Sequence, residues 1–348
     1  MASTDDLDEG VIADLAEPAE GADVRCTACA HRCTLSPGQA GICDVRRNVD
    51  GELRLLTYGK VFDRPTGPPG TVDPIEKKPL YHFHPTTRVL SFGGVSCNFA
   101  CSFCQNNHIS FAGPDDLELR EVSPEEALES ARNRDCAGIA WTYNEPTIYA
   151  EYVRNCARLA KEDGRYTAIV TNGYFTEEFV DEVGSHLDAA NVDIKGFRDR
   201  PHVKHMGAKL DPTLRGAEMA HDAGIHVELT YLTIPDLNDD PEEIRAFAEW
   251  VRDDLGPSVP VHFTRFHPDH EMRDRPATPV ETLERAAGIA REAGLAFVYV
   301  GNVPGHADSD TQCPDCGKTW IGRSGFRATV EVDLDGTCAC GREIDVVV

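Results

Sequence analysis

From about residue 84 the chain alternates between two textures. Short runs rich in β-branched and aromatic residues (TRVLSFGG, AGIAWTY, YTAIVTNG, AANVDIKG, IHVELTYLTI, VPVHFTRFHP and AFVYVGNVPG) are separated by amphipathic stretches such as SPEEALESARN, EYVRNCARLAKEDG and ETLERAAGIAREAG. Ser123 opens the first of these stretches, and Glu126 follows three residues later, the pattern of a capping box. Six or seven such units predict parallel strands joined by helical crossovers. A barrel and a doubly wound sheet both satisfy that pattern. No G-x-G-x-x-G follows the first run, which disfavours a dinucleotide-binding sheet. Polar residues also collect where the runs end: a cysteine loop after the first, then TYNEP, TNGY, DIKG and RFHP. A barrel builds its site from loops at the carboxyl ends of its strands. The expected fold class is therefore α/β, a (β/α) TIM-like barrel over residues 84–306, with small cysteine-rich modules at either end.

Thirteen cysteines point the same way. The N-terminus is acidic and carries no basic and apolar leader pattern. The expected compartment is therefore the cytoplasm, where cysteine clusters indicate metal sites more than disulfides. Eleven of the thirteen fall into three clusters; Cys136 and Cys156 lie outside them and read as small core residues. In the loop SFGGVSCNFACSFCQNNHIS, Cys97, Cys101 and Cys104 follow C-x3-C-x2-C. Thiolates ligate iron and zinc, and a 4Fe-4S cube normally takes four. Three leave one iron open, a place for a ligand that reacts.

Residues 1–22 are acidic, rich in alanine and expected to be disordered. Residues 23–83 are expected to form an N-terminal cysteine-rich module and linker, bounded by the Gly/Pro-rich DRPTGPPGTVDP. Its Cys26, Cys29, Cys33 and Cys43 supply four thiolates, suited to zinc or to an auxiliary iron–sulfur cluster. Residues 307–348 read as a zinc-ribbon-like module, with Cys313, Cys316, Cys338 and Cys340 as its ligands.

The three-cysteine loop closely resembles the signature of radical S-adenosylmethionine (SAM) enzymes. That resemblance implies a partial (β/α) barrel of the radical SAM type, a 4Fe-4S cluster on Cys97, Cys101 and Cys104, and SAM chelating the open iron. It also implies a one-electron donor such as ferredoxin or flavodoxin. YNEP resembles the family's Gly-Gly-Glu-Pro element and sets Asn144 and Glu145 against the methionine ammonium. TNG (Thr171, Asn172 and Gly173) is similar to the ribose-side loop. DIK, with Asp193 and Lys195, resembles the Asp-Leu-Lys of glycyl-radical activating enzymes, and His267 matches a histidine beside the adenosyl group. Across residues 26–307, segments such as CTACAHRCTLSPGQAGICDVRRN, DPIEKKPLYHFHP, ELTYLTIPDLND and FVYVGNVPGH resemble the radical SAM enzyme of the AmmeMemoRadiSam system. Memo-type and AMMECR-type proteins are its implied partners. A glycyl-radical activating enzyme is the alternative within the enzyme class. A non-catalytic iron–sulfur electron carrier or redox sensor is the alternative outside it.

Net charge is −25, and only eight of the 34 basic residues are lysine. The acid is spread along the chain, as on a halophilic, salt-adapted surface, and would repel phosphate backbones. No nucleic-acid partner is expected. No membrane is expected either, because no apolar run approaches the length of a span.

Overall fold

The computed structural model describes residues 10–348. Its centre is an eight-stranded sheet of β1 (Thr71–Pro74), β2 (Arg88–Phe92), β3 (Gly138–Trp141), β4 (Tyr166–Thr171), β5 (Ala189–Asp193), β6 (His226–Thr233), β7 (Val261–Arg265) and β8 (Val298–Gly301). Each strand pairs with its predecessor. The seven from β2 to β8 are parallel, and β1 runs antiparallel against β2. Strand order never reverses, so this is the singly wound order of a barrel and not a doubly wound sheet. Among the described residues no pairing joins β1 to β8, so the barrel is partial.

The crossovers include α1 (Pro124–Asn133), α2 (Ala150–Glu162), α3 (Glu177–Val183), α4 (Asp199–Met206), α5 (Leu210–Asp222), α6 (Pro241–Trp250) and α7 (Val280–Glu292). The expected capping box on α1 forms: Glu126 N donates to Ser123 Oγ at 3.2 Å, and Ser123 N donates to Glu126 Oε2 at 2.8 Å. One face of the sheet, with Leu90, Ile139, Trp141, Ile169, Ala190, Val192, Leu229 and Phe263, shares a core with these helices. On the other face, at the amino ends of the strands, Val89, Ala140, Ala168 and Ala189 pack against Ile75, Leu80 and Phe83. The segment after β1 therefore plugs the barrel. Asn191 Nδ2 holds it through Pro79 O at 2.8 Å, and Glu228 Oε1 accepts from His82 N at 2.7 Å.

Two boundaries differ from expectation. The central sheet begins at Thr71, not near residue 84, because β1 joins it. Pro74 lacks an N–H, which hides a strand in the sequence and confines it to an edge. The acidic segment expected to be disordered through residue 22 instead forms strands at Val11–Ile12 and Ala16–Pro18; residues 1–9 lie outside the described residues. Glu151 on α2 holds this segment by accepting from Asp14 N at 3.1 Å and Leu15 N at 3.4 Å. The same carboxylate pairs with Arg46 at 2.5 Å, and both side chains are buried. A buried carboxylate needs such partners, and here they tie the N-terminal module to the barrel.

The C-terminal module is a three-stranded antiparallel sheet, Thr311–Gln312, Thr319–Ser324 and Arg327–Val330. It packs Trp320 and Ile321 against Tyr81, Phe297 and Tyr299. Cys136 and Cys156 are fully buried in the main core. No helix among the described residues is long and apolar enough to cross a membrane.

Two predictions follow from this packing. A Cβ on Gly216 of α5 would lie 1.8 Å from Gly173 O. Gly216→Ala is expected to cost about 1–3 kcal/mol by overpacking, read as a fall in Tm. His82 is buried, bonded to Tyr299 OH at 2.5 Å and to the Asp345 carbonyl. Burial pushes its imidazole down to about 4 from 6.5, against the opposing pull of Glu228. At pH 7 the imidazole is neutral in both the folded and the unfolded chain. Below 6.5 the unfolded chain takes up a proton that the folded chain refuses until about pH 4, so stability is lost as pH falls through that window. Urea titrations at pH 7 and 4.5 should show wild type losing about 2 kcal/mol more than His82→Gln; equal losses would refute the assignment.

Candidate functional site

The carboxyl ends of β2 to β5 converge on the three-cysteine loop. Gly93 and Gly94 lead out of β2 where nothing larger fits: a Cβ on Gly93 would meet Thr142 O at 2.8 Å, and one on Gly94 would meet the Tyr149 ring at 3.2 Å. Asn144, just beyond β3, then staples the loop. Its Oδ1 accepts from Gly94 N at 2.9 Å and Tyr149 OH at 3.1 Å; its Nδ2 donates to Ser96 O at 2.9 Å and Val95 O at 3.3 Å. Glu145 ties the end of β3 to the end of β4. Its carboxylate accepts from Thr147 Oγ1 at 2.5 Å, Thr147 N at 3.0 Å, Thr171 Oγ1 at 2.8 Å and Asn172 N at 2.8 Å. The circuit closes at Asn172, whose Nδ2 donates to Asn98 Oδ1 at 2.7 Å inside the cysteine loop.

Asn144 and Glu145 thus brace the loop, a role beside the one the resemblance implies. Both are buried; the four positions on Asn144 are taken by the chain itself, whereas Glu145 Oε1 accepts three of the four bonds and Oε2 only the one from Asn172 N. Burial raises the Glu145 carboxyl, opposed by the Asn172 and Thr147 donors. In this geometry the two side chains brace the loop, and Glu145 Oε2 keeps an acceptor position beyond its bond from Asn172 N.

Asp193 and Lys195 stand on the other side of the cysteines. Lys195 Nζ lies 2.8 Å from Asp193 Oδ2. Burial pulls the Lys195 ammonium down, but the Asp193 carboxylate beside it holds the ammonium above its usual range. Asn238, from the PDLND segment after β6, fixes the backbone here by donating to Lys195 O at 3.1 Å and Leu232 O at 2.8 Å. Burial pushes the Cys101 thiol up to about 12 despite Lys195, and burial and Glu145 push the Cys97 thiol well up too. Left to the protein these sulfurs keep their protons, and a metal must displace them. Three converging thiols with a lysine cation beside them therefore fit an iron–sulfur cluster and an anionic ligand group. Beside Cys97, a cavity of about 210 Å³ is walled by Asn98, Phe99, Ser110, Phe111 and Gly207.

The structure therefore brings together Cys97, Cys101, Cys104, Asn144, Glu145, Thr171, Asn172, Asp193 and Lys195. His267 stands apart. It is exposed after β7 and lines a separate cavity of about 290 Å³ with Gln105, Tyr81 and Asn302. Gln105 directly follows Cys104, so this second cavity also adjoins the loop. Sequence reasoning missed Asn98 and Tyr149, whose partners are distant in the chain and carry no local pattern. It also missed Asp73, which bonds Lys78 at 2.7 Å and Tyr143 OH at 2.8 Å near the end of β3.

The C-terminal quartet is the compact one. Cys313 and Cys340 sulfurs are 3.6 Å apart, Cys316 and Cys338 sulfurs are 3.6 Å apart, and all four lie within 4.8 Å of one another. Tetrahedral zinc with bonds of about 2.3 Å sets sulfur–sulfur edges of about 3.8 Å, so the donors fit zinc.

Asn144→Ala leaves Gly94 N and Ser96 O without their partner. It is expected to weaken iron retention about tenfold or more while far-UV circular dichroism stays unchanged. Iron content after anaerobic reconstitution checks this, and wild-type iron retention would remove Asn144 from its bracing role.

Comparison with known proteins agrees with the geometry. Residues 93–250 match the Radical SAM superfamily. An uncharacterized protein of Methanocaldococcus jannaschii is 42% identical over 327 residues, covering 93% of this chain and 96% of its own length. The pyruvate formate-lyase 1-activating enzyme of Escherichia coli is 23% identical over 234 residues, 62% of this chain and 93% of that protein. A radical SAM methyltransferase structure from Sphaerobacter thermophilus superposes with a TM-score of 0.49 at 17% identity, covering 68% of this chain and 71% of that one. The chain belongs to the radical SAM superfamily, with a 4Fe-4S cluster and SAM as its cofactors.

Proposed function

We propose that this protein is the radical SAM enzyme of an AmmeMemoRadiSam system, abstracting hydrogen from a substrate brought to the mouth of the barrel. When bound, the cluster and SAM supply a 5′-deoxyadenosyl radical by reductive cleavage. In this reading Cys97, Cys101 and Cys104 hold the cluster, and Lys195, fixed by Asp193 and Asn238, holds the methionine carboxylate as a charge partner. Asn144, Glu145, Thr171 and Asn172 keep the loop at one geometry. His267 and Gln105 line the side on which the adenosyl group would lie. An electron donor of the ferredoxin or flavodoxin kind completes the system, and Memo-type and AMMECR-type proteins are the proposed partners. The observation that carries the reading is the closed hydrogen-bond circuit from Asn144 through Glu145 and Asn172 to Asn98, which braces a three-cysteine loop beside a lysine.

A second reading, glycyl-radical activation, is favoured by the similarity to pyruvate formate-lyase activating enzymes of Escherichia coli and Clostridium pasteurianum. Those matches cover 62% and 64% of this chain, whereas the Methanocaldococcus relative covers 93%. That difference leaves more than a third of this chain outside the likeness to the activating enzymes.

Anaerobic turnover with the Memo-type and AMMECR-type proteins of the same cell, followed by mass spectrometry, should yield a modified product. A glycyl radical in a separate large protein, seen by electron paramagnetic resonance, would instead establish the second reading. Lys195→Ala should raise the Kd for SAM about tenfold or more, equivalent to about 1.4 kcal/mol, with cluster content unchanged. Unaltered binding would contradict the role given to Lys195.

A further inference from the structure

Cys26, Cys29, Cys33 and Cys43 all line one pocket with Arg46 and Ile148. Zinc and an iron–sulfur cube ask different things of four such sulfurs. Zinc draws them to edges of about 3.8 Å. A cube places each thiolate on a different iron corner and holds the sulfurs much further apart. The C-terminal quartet has the zinc spacing, with all sulfurs within 4.8 Å; among the described residues no three sulfurs of the N-terminal quartet meet that limit, and neither do those of Cys97, Cys101 and Cys104. Neither of these two sets therefore has the compact spacing of the zinc-fitting quartet.

Burial separates the sets in the same way. Cys26, Cys29 and Cys43 are buried and Cys33 half-buried, whereas Cys316 and Cys340 of the compact quartet are exposed. A structural knuckle tolerates solvent. A redox cluster is shielded from it, because solvent exposure is one of the terms that sets its potential.

The N-terminal set also abuts the three-cysteine loop. Ser96 Oγ, one residue before Cys97, donates to Cys43 O at 2.6 Å. Cys29 pairs its backbone with Phe175 beside the TNG loop, and Ala30 N donates to Tyr174 O at 2.9 Å. Asn98 stands between the sets: its amide lies against the Cys29 thiol on one side and its Oδ1 lies 3.7 Å from Cys97 Sγ on the other. Asn98 is 2% exposed, and its Nδ2 has no hydrogen-bond partner. An orphaned buried N–H is costly; beside two sets of cysteines it is placed to donate to cluster sulfur, and such donors tune iron–sulfur potentials.

We infer that Cys26, Cys29, Cys33 and Cys43 hold a second iron–sulfur cluster, and that it passes electrons across Asn98 to the cluster on Cys97, Cys101 and Cys104. The relay half of this inference rests on the radical SAM reading of the loop; the binding half does not. A low-potential one-electron donor protein reduces the N-terminal cluster by one electron. That electron moves on to the three-cysteine cluster and returns the first to its oxidised state. No bond forms or breaks, and no proton moves.

Metal analysis of anaerobically reconstituted wild type should find about eight irons per chain and one zinc. The triple variant Cys97→Ala, Cys101→Ala, Cys104→Ala should keep about four irons, and Cys26→Ala with Cys29→Ala should keep the other four. Electron paramagnetic resonance of reduced wild type should show spin–spin broadening that is absent from both variants. Two zincs in wild type and no iron in the triple variant would overturn the binding site, and that zinc count does not depend on any variant folding. Two clusters without broadening would overturn the relay. Iron in the triple variant together with a wild type that cleaves no SAM would instead defeat the radical SAM reading and leave the N-terminal site standing.

Discussion

The active end of this molecule depends on the four hydrogen bonds of one side chain. Asn144 leaves the end of β3 and satisfies the backbone of Gly94, Val95 and Ser96, the residues that carry the chain from β2 to Cys97. A loop built from two glycines and a residue with positive φ, Ser96, has little conformational preference of its own. Cluster ligation needs the reverse, three sulfurs held at one geometry. Asn144 imposes that geometry from the neighbouring strand, and Glu145 transmits it to β4. The register of three parallel strands thereby becomes the position of three sulfurs.

The same logic explains why the N-terminal module is docked and not hinged. The buried Arg46–Glu151 pair joins residues 105 apart in the chain. Buried pairs of this kind contribute little net stability but penalise any arrangement that separates them. This one fixes a four-cysteine pocket against the reactive loop. At the opposite end, the compact quartet of Cys313, Cys316, Cys338 and Cys340 sits on a small sheet of its own. Cysteine clusters that look alike in sequence therefore differ in spacing, burial and neighbours.

Much of this was legible in the chain. The seven parallel strands announced themselves because buried parallel strands are continuous apolar runs, and five of them ended in polar residues that mark the barrel mouth. The three-cysteine loop was legible because its spacing is local. What could not be read was anything settled through space. Pro74 disguised β1 as linker. Acidic composition disguised the strands between residues 10 and 22, which are held by Glu151 from a distant helix. Asn144 and Glu145 were marked as site residues, but which way their side chains point depends on donors at Gly94 and Asn172, far off in sequence. Asn98, between two cysteine sets, carried no pattern at all.

The central claim is that the three-cysteine loop, braced in this way, makes SAM reactive. The direct measurement is 5′-deoxyadenosine formed by the reduced, cluster-loaded protein under anaerobic conditions, quantified against a Cys101→Ala control. Formation by wild type and none by the control is the predicted result. A fully loaded, reduced wild type that forms none, even with an electron donor and partner proteins present, would contradict the account.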